Sequence, residues 1–360
     1  MSMQEKDSKN NFKNEYEEIK KEITKPQILI LGSTGCGKSS LINWIFGKNV
    51  AKVSSGQPVT QGIEKFESET FCLYDTEGYE LGSKNQKRYS EEILNFIIKC
   101  DEPNNIAEKP HIAWYCISYA SHRITDVDLE IIKIIKQAGI PVCVIFTQAD
   151  MASVEECEQM IATLSSFDRS VKSFEISTDA DLRLTPDPMI EWSYENLDAA
   201  TSQAFVASVK GGIPLKNKES KKVIQQHVAL AATATLSPIP FSDAAVLSGI
   251  QMTMITRLIF VWNIKGLESF VSGSAITILA SNLGRTSAGN LIKLIPGAGS
   301  LVGGAINTTV ASSITYAIGY AITNICERVT LASLEGKEVD FEKYFSYIEI
   351  ANEVKNYLKK

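Results

Sequence analysis

Residues 28–47 read ILILGSTGCGKSSLINWIFG, an apolar run, a glycine-rich turn and a helix-like segment with no gap between them. Such a stretch obliges a strand, a loop and a helix N-terminus to meet around whatever the loop holds. Gly32-Ser33-Thr34-Gly35-Cys36-Gly37-Lys38-Ser39 matches GxxxxGKS. Glycines let successive backbone N–H groups turn inward on phosphate oxygens, and the helix N-terminus adds positive partial charge. Lys38 then reaches the β/γ oxygens and Ser39 offers a hydroxyl to Mg²⁺, with Ser40 following in the first helical turn. Cys36 reads first as a small residue that fits the loop, and redox gating through a thiolate favoured by Lys38 and the helix N-terminus is the lesser alternative.

A phosphate loop alone does not separate adenine from guanine nucleotides, so later segments decide. Phe71-Cys72-Leu73-Tyr74-Asp75-Thr76-Glu77-Gly78 is an apolar strand ending in DxxG, which puts Asp75 near Mg²⁺ and the Gly78 amide where a γ-phosphate ends. Thr60, in the loop before that strand, is placed to bind Mg²⁺ through its hydroxyl when a triphosphate orders the loop, and reads otherwise as an ordinary loop threonine. PVCVIF runs into Thr147-Gln148-Ala149-Asp150, which resembles the guanine-specificity motif NKxD. In that motif the Asp, here Asp150, accepts from guanine N1 and N2, a pattern adenine does not supply. Phe174 to Thr178 ends a further strand, with Ser177 in the place of a loose SA-type base contact.

In this order the elements resemble the Ras-like, translation-factor-related P-loop GTPases over about residues 26–209. The VT at 59–60 and RITDVDLEIIKII look most like Era-like members. The resemblance implies GTP/GDP and Mg²⁺ as ligands and slow GTP hydrolysis, with Lys38, Thr60 and Gly78 at the reacting end. The chain departs from the pattern at three positions. Gln148 replaces the usual Lys of NKxD, so the stem over the guanine is shorter and uncharged. Tyr79 follows DxxG where Ras-type enzymes carry a water-orienting Gln. Gly35 stands where potassium-activated relatives carry Asn, so no potassium stimulation is expected.

The expected fold is α/β, a G domain with a mostly parallel six-stranded sheet, followed by an all-α domain. Strands are read near 28–31, 63–67, 71–75, 112–118, 142–147 and 171–177, with 63–75 as one antiparallel hairpin, and helices near 38–47, 84–99, 125–138, 153–166 and 191–209. The domains are expected at 1–25 (a leading helix on the G domain, with Phe12, Tyr16, Ile19 and Ile23 on one face), 26–210, a linker at 211–220, and 221–360. A net charge of −6 disfavours nucleic acid as a partner. Cys36, Cys72, Cys100, Cys116, Cys143, Cys157 and Cys326 form no CxxC pair and read as reduced core residues. His111, His122 and His227 have no ligand spacing.

From Val223 to Ala332, 110 residues, only eight are charged, and the 33 residues between Lys293 and Glu327 hold no charge and contain the GxxxG of Gly299–Gly303. Pro240, Val246, Ile250 and Gln251 recur as Pro296, Val302, Ile306 and Asn307, which implies two helical hairpins. ATLSPIPFSDAAVLSGIQ and LIKLIPGAGSLVGGAI resemble an uncharacterised helical domain that follows G domains in bacteria, with inner-membrane proteins among its relatives. A membrane or protein partner is therefore expected through 221–360, together with a nucleotide-dependent homodimer. The expected location is the cytoplasm, peripheral to or integral in the inner membrane. Polar residues such as Asn307, Ser312 and Thr323 suit a soluble bundle as well. Phe341, Tyr344, Phe345 and Ile348 are expected on one face of a closing amphipathic helix. Three functions fit: a GTPase switch acting on the helical domain, a non-hydrolysing scaffold or membrane anchor, and a ribosome- or RNA-assembly GTPase.

Overall fold

The computed structural model describes residues 3–47, 57–60, 62–76, 78, 83–179, 182–234, 243–268, 270 and 308–359. They divide into two compact units, Thr24–Lys210 and Met1–Ile23 with Gly211–Lys360. In chain order the elements are α1 (Met3–Glu22), β1 (Gln27–Gly32), α2 (Lys38–Phe46), β2 (Gln57–Thr60), β3 (Ile63–Glu67), β4 (Cys72–Thr76), α3 (Ser83–Cys100), β5 (Ile112–Ser118) and α4 (Asp126–Gln137). They continue with β6 (Val142–Thr147), α5 (Val154–Phe167), β7 (Lys172–Glu175), α6 (Asp187–Glu195), α7 (Ala199–Ser208), α8 (Ile213–Ala234), α9 (Asp243–Trp262), α10 (Thr308–Leu334), α11 (Phe341–Tyr344) and α12 (Tyr347–Leu358).

The Thr24–Lys210 unit is built on one sheet in the order β2-β3-β4-β1-β5-β6-β7. β1, β5 and β6 are buried along their whole length, as central parallel strands covered on both faces must be. β4, β1, β5, β6 and β7 run parallel, and β3 pairs antiparallel with β4 as the hairpin reading requires. The sheet has seven strands rather than six. The addition is β2, antiparallel to β3; four residues are too few to show periodicity, and Pro58 suits an edge position. The helix expected at 191–209 is two helices, because Asp198 N-caps α7 by accepting the Thr201 N–H at 2.8 Å. Capping boxes at Thr125/Asp128 and Ser153/Glu156 start α4 and α5 at the C-terminal edge of the sheet.

In the other unit α1 buries Phe12, Tyr16 and Ile19. Tyr16 lies 6.1 Å from the Phe260 ring on α9, and Glu22 pairs with Arg257 at 2.7 Å. The leading helix therefore belongs to the helical unit and not to the G domain. Its apolar face was legible, but a face does not name its partner. The expected linker is corrected too. The turn is made by Gly211 and Gly212 at φ 76° and 50°, and residues 213–220 already form the first turns of α8.

Lys216 of α8 is buried and donates to the carbonyls of Val261 (2.9 Å) and Trp262 (3.2 Å), closing the C-terminus of α9. Burial pushes its amine down to about 7. Thr315, Thr323 and Thr330 of α10 are buried, and Thr315 accepts from Gln251 Nε2 at 3.4 Å, so polar residues of the uncharged stretch face neighbouring helices. At the C-terminus Phe345, Ile350, Val354 and Leu358 are buried while Ile348 is 72% exposed, because α11 and α12 are separate helices and the expected face does not run through both. Among the described residues no helix is long and apolar enough to cross a membrane. The GxxxG at 299–303, Pro240 and the repeat residues 296–307 lie outside the described residues.

α10 approaches α8 at Gly319, where an added Cβ would stand 2.6 Å from Ile224 Cγ1. Gly319→Val is expected to destabilise the helical unit by about 1–3 kcal/mol through overpacking, read as a lower unfolding midpoint in urea.

Candidate functional site

β1 ends in the middle of the sheet, and the chain leaves it at Gly32 with φ 136°. A Cβ there would lie 2.2 Å from the Cys116 carbonyl oxygen on β5, so only glycine lets β1 turn into the loop at this depth. Ser33, Thr34 and Gly35 form the outer rim of the loop, Cys36 turns inward with 1% exposure, and Gly37 leads into α2. Gly37 brings no side-chain cap and the first turn of α2 holds no acidic residue, so its N-terminal amides are left to an anion. Lys38 is buried, its Nζ donating to the carbonyls of Gly32 (2.9 Å) and Ser33 (3.2 Å), which folds the side chain back over the loop. Ser39 and Ser40 are exposed in the first turn of α2.

Beside β1, Asp75 stands in register with Ile30. Its Oδ1 is buried without a hydrogen-bond partner. Burial raises the carboxyl to about 6, with Lys38 opposing and Glu64 reinforcing the shift. A desolvated carboxylate oxygen without a donor beside a phosphate loop suits a hard divalent cation, so the residues present fit Mg²⁺. Gly78 packs directly on the loop: a Cβ would be 2.4 Å from the Thr34 nitrogen, and the Thr34 hydroxyl donates to the Gly78 carbonyl at 2.7 Å. Thr60 ends β2 opposite Ile63. Its side chain, like Glu77 and Tyr79, lies outside the described residues.

On the other side of the loop, the Thr147 hydroxyl at the end of β6 donates to the Cys36 carbonyl at 2.6 Å. Gln148 follows in a left-handed conformation (φ 57°) and accepts from the Ser118 hydroxyl. Asp150 is exposed and its Oδ1 accepts from the Ser177 hydroxyl at 2.6 Å, while Ser177 in turn accepts from the Asp179 N–H at 3.0 Å. The expected base-side residues therefore meet, and Ser177 is a side-chain partner of Asp150. A cavity of about 770 Å³ opens over the loop, lined by Ser33, Thr34, Cys36, Ser118, Arg123 and Gln148 among others.

Sequence reasoning missed Tyr89. The Gly32 N–H donates to its hydroxyl (3.3 Å), which is 2.7 Å from the Thr76 hydroxyl, and Thr76 Oγ1 lies 3.3 Å from the Ile30 carbonyl. A tyrosine in the second turn of α3 thus ties the root of the phosphate loop to the DxxG strand. Nothing local in RYSEEIL signals it. Among the described residues no His/Cys/Asp/Glu cluster forms a metal site.

A phosphate cradle at the end of β1, DxxG on the adjacent strand and an Asp-bearing turn after β6, all on one sheet edge, define a P-loop nucleotide-binding protein of the G-domain class. The family described as 50S ribosome-binding GTPase matches residues 27–148. A probable GTP-binding protein EngB of Cytophaga hutchinsonii is 30% identical over 159 residues, 42% of this chain and 76% of that protein. Its namesake from Caldanaerobacter subterraneus is 29% identical over 43% and 75%. A crystal structure of a probable GTP-binding protein engB aligns with a TM-score of 0.36 at 20% identity, covering 47% of this chain and 97% of that one. The chain belongs to the EngB-type family of P-loop GTPases. This corrects the Era-like resemblance. The VT and RITDVDLEIIKII segments that suggested it are short and do not separate related GTPases from one another.

Because burial raises Asp75 to about 6, the folded, ligand-free protein holds this proton more tightly than the unfolded chain does. That stabilisation is full below about pH 4 and is lost as the pH rises through the folded value. Asp75→Asn should therefore make the nucleotide-free protein more stable at pH 8 by about 2 kcal/mol, with the gain shrinking toward pH 5. It should at the same time abolish Mg²⁺-dependent tightening of nucleotide binding. Thermal unfolding against pH, with and without Mg²⁺ and nucleotide, checks both.

Proposed function

We propose that this protein is a guanine-nucleotide switch that hydrolyses GTP slowly with Mg²⁺ and signals its nucleotide state through the helical unit. The observation that carries the reading is the 2.6 Å bond from Thr147 to the Cys36 carbonyl. It holds the base-reading turn at a set distance from the phosphate loop, so one ligand with a purine at one end and phosphates at the other is measured by both.

In this reading the amides of residues 33–38 and the Lys38 ammonium take the phosphate oxygens. Ser39, Asp75 and Thr60 hold Mg²⁺, which supplies charge neutralisation at the β/γ oxygens. Asp150, oriented by Ser177, accepts from guanine N1 and N2, and Gln148 lies along the base. Gly78 meets the γ-phosphate end, and the Thr34 hydroxyl holds its loop to the rim. Tyr79 offers no carboxamide to orient water, which supports slow intrinsic turnover, below about one per minute.

The helical unit as the output of the switch is supported by its nearly uncharged composition and by the loops at Thr60 and Gly78 that a γ-phosphate orders. A second reading, action on the large ribosomal subunit, is favoured by the description of the matching family. Its weakness is the net charge of −6, which gives no broad attraction to RNA. Nucleotide-dependent co-sedimentation with 50S subunits, set beside binding to anionic vesicles, separates a ribosomal from a membrane output.

Lys38→Ala should abolish tight GTP binding in calorimetry, since among the described residues no other cation rests on the Gly32 and Ser33 carbonyls; unchanged affinity would sink the assignment. GTP should be preferred over ATP by at least about 100-fold, because a polar site left without its paired donors loses several kcal/mol. Asp150→Asn should erase most of that preference while leaving inorganic triphosphate competition intact.

A further inference from the structure

We infer that Cys36 and Cys116 are an oxidisable dithiol beneath the phosphate loop, a modification site at which a peroxide forms an intramolecular disulfide that weakens nucleotide binding. The pairing follows from the geometry at Gly32. Cys116 is the register partner of Gly32 on β5. A Cβ built at Gly32 would lie 2.7 Å from the Cys36 sulfur and 2.2 Å from the Cys116 carbonyl oxygen, so the Cys36 thiol takes the volume of the missing side chain, in the place whose register neighbour on β5 is Cys116. Each thiol shifts the proton affinity of the other, and Lys38 and Ser33 also act on Cys36. Both cysteines line the cavity over the loop, which gives a small oxidant a route to sulfur atoms that are otherwise buried.

The chemistry of the pair is asymmetric. Interaction with Cys116, ahead of the Lys38 charge, holds the Cys36 thiol below its usual range against the opposing effect of burial. The same interaction and burial push Cys116 well up. Cys36 is thus the attacking sulfur and Cys116 the resolving one. The Cys36 thiolate attacks one oxygen of hydrogen peroxide, the O–O bond breaks, and a sulfenic acid forms as water leaves with the proton. The Cys116 sulfur then attacks the sulfenic sulfur, its own proton leaving with the departing hydroxide as a second water. Two thiols and one peroxide give one disulfide and two waters.

The bond fixes the two sulfurs at about 2.05 Å. Cys36 moves toward β5, away from the Lys38 amide and Ser33. Its carbonyl is meanwhile held by Thr147, so the strain falls on the residues 33–38 that cradle phosphate. Bound nucleotide covers the cavity and protects the pair.

The effect on binding rests on the proposed GTP function, whereas the disulfide itself does not. Full-length, nucleotide-free protein is treated with hydrogen peroxide, digested without reduction and examined by mass spectrometry, and binding of a fluorescent GTP analogue is measured in parallel. A Cys36–Cys116 linked peptide is expected, with apparent affinity at least about tenfold weaker, restored by dithiothreitol and prevented by prior GTP and Mg²⁺. Cys116→Ser is expected to bind the analogue as the parent does and to keep that binding after peroxide. Absence of the linked peptide, or reversible loss of binding in Cys116→Ser equal to the parent's, overturns the proposal. A linked peptide in a chain that never bound GTP upholds the dithiol and overturns the proposed function instead.

Discussion

β1 can pass into the phosphate loop only because position 32 carries no side chain, and the rest of the nucleotide site is hung from that contact. The Gly32 amide is bound by Tyr89, its carbonyl by Lys38, and its empty side-chain volume is filled by the Cys36 sulfur wedged against β5. Backbone on both sides is fixed by strand pairing to β4 and β5. A loop held at its root in this way is preorganised for its ligand, as tight anion binding requires.

That arrangement is maintained against local stability. Asp75 keeps a buried oxygen without a donor, and the first turn of α2 carries no cap of its own. In a domain selected for stability alone an asparagine and an N-cap serine or aspartate would serve better. The residues present instead leave a cation-sized and an anion-sized deficit side by side, and a metal–nucleotide complex offsets both at once. The surrounding core, with Phe46 stacked on Phe71 at 4.1 Å and Trp114 bonded to Ser193 at 3.0 Å, carries the stability that the site gives up.

The loop, the DxxG strand and the TQAD turn could be read from sequence because their chemistry is local: glycine where backbone must approach, Lys and Ser at the helix start, Asp after a strand. β1, β5 and β6 were legible for the same reason, as unbroken apolar runs. Tyr89 was not, since its hydroxyl acts on Gly32 from a distant part of the chain and the surrounding helix explains the residue as ordinary core. The Thr34–Gly78 bond was hidden likewise, because two loop residues far apart in sequence meet only once β1 and β4 are paired. β2 is too short for periodicity. For α1 the apolar face was evident, but Phe12 and Tyr16 would suit a sheet as well as they suit α9. Ile348 was misplaced because the chain breaks between α11 and α12, so one helical face does not run from Phe341 through Ile348.

The helical unit is assembled from both ends of the described chain, with the nucleotide-binding unit inserted between its first helix and the remainder. Synthesis is vectorial, so the inserted unit can complete its sheet while α1 still waits for α9, more than two hundred residues downstream. Until α9 emerges, the side of α1 that carries Phe12, Tyr16 and Ile19 lacks the cover that Phe260 gives it in the folded unit. The nascent protein therefore passes through a stage in which a finished nucleotide-binding unit trails an unsatisfied apolar helix.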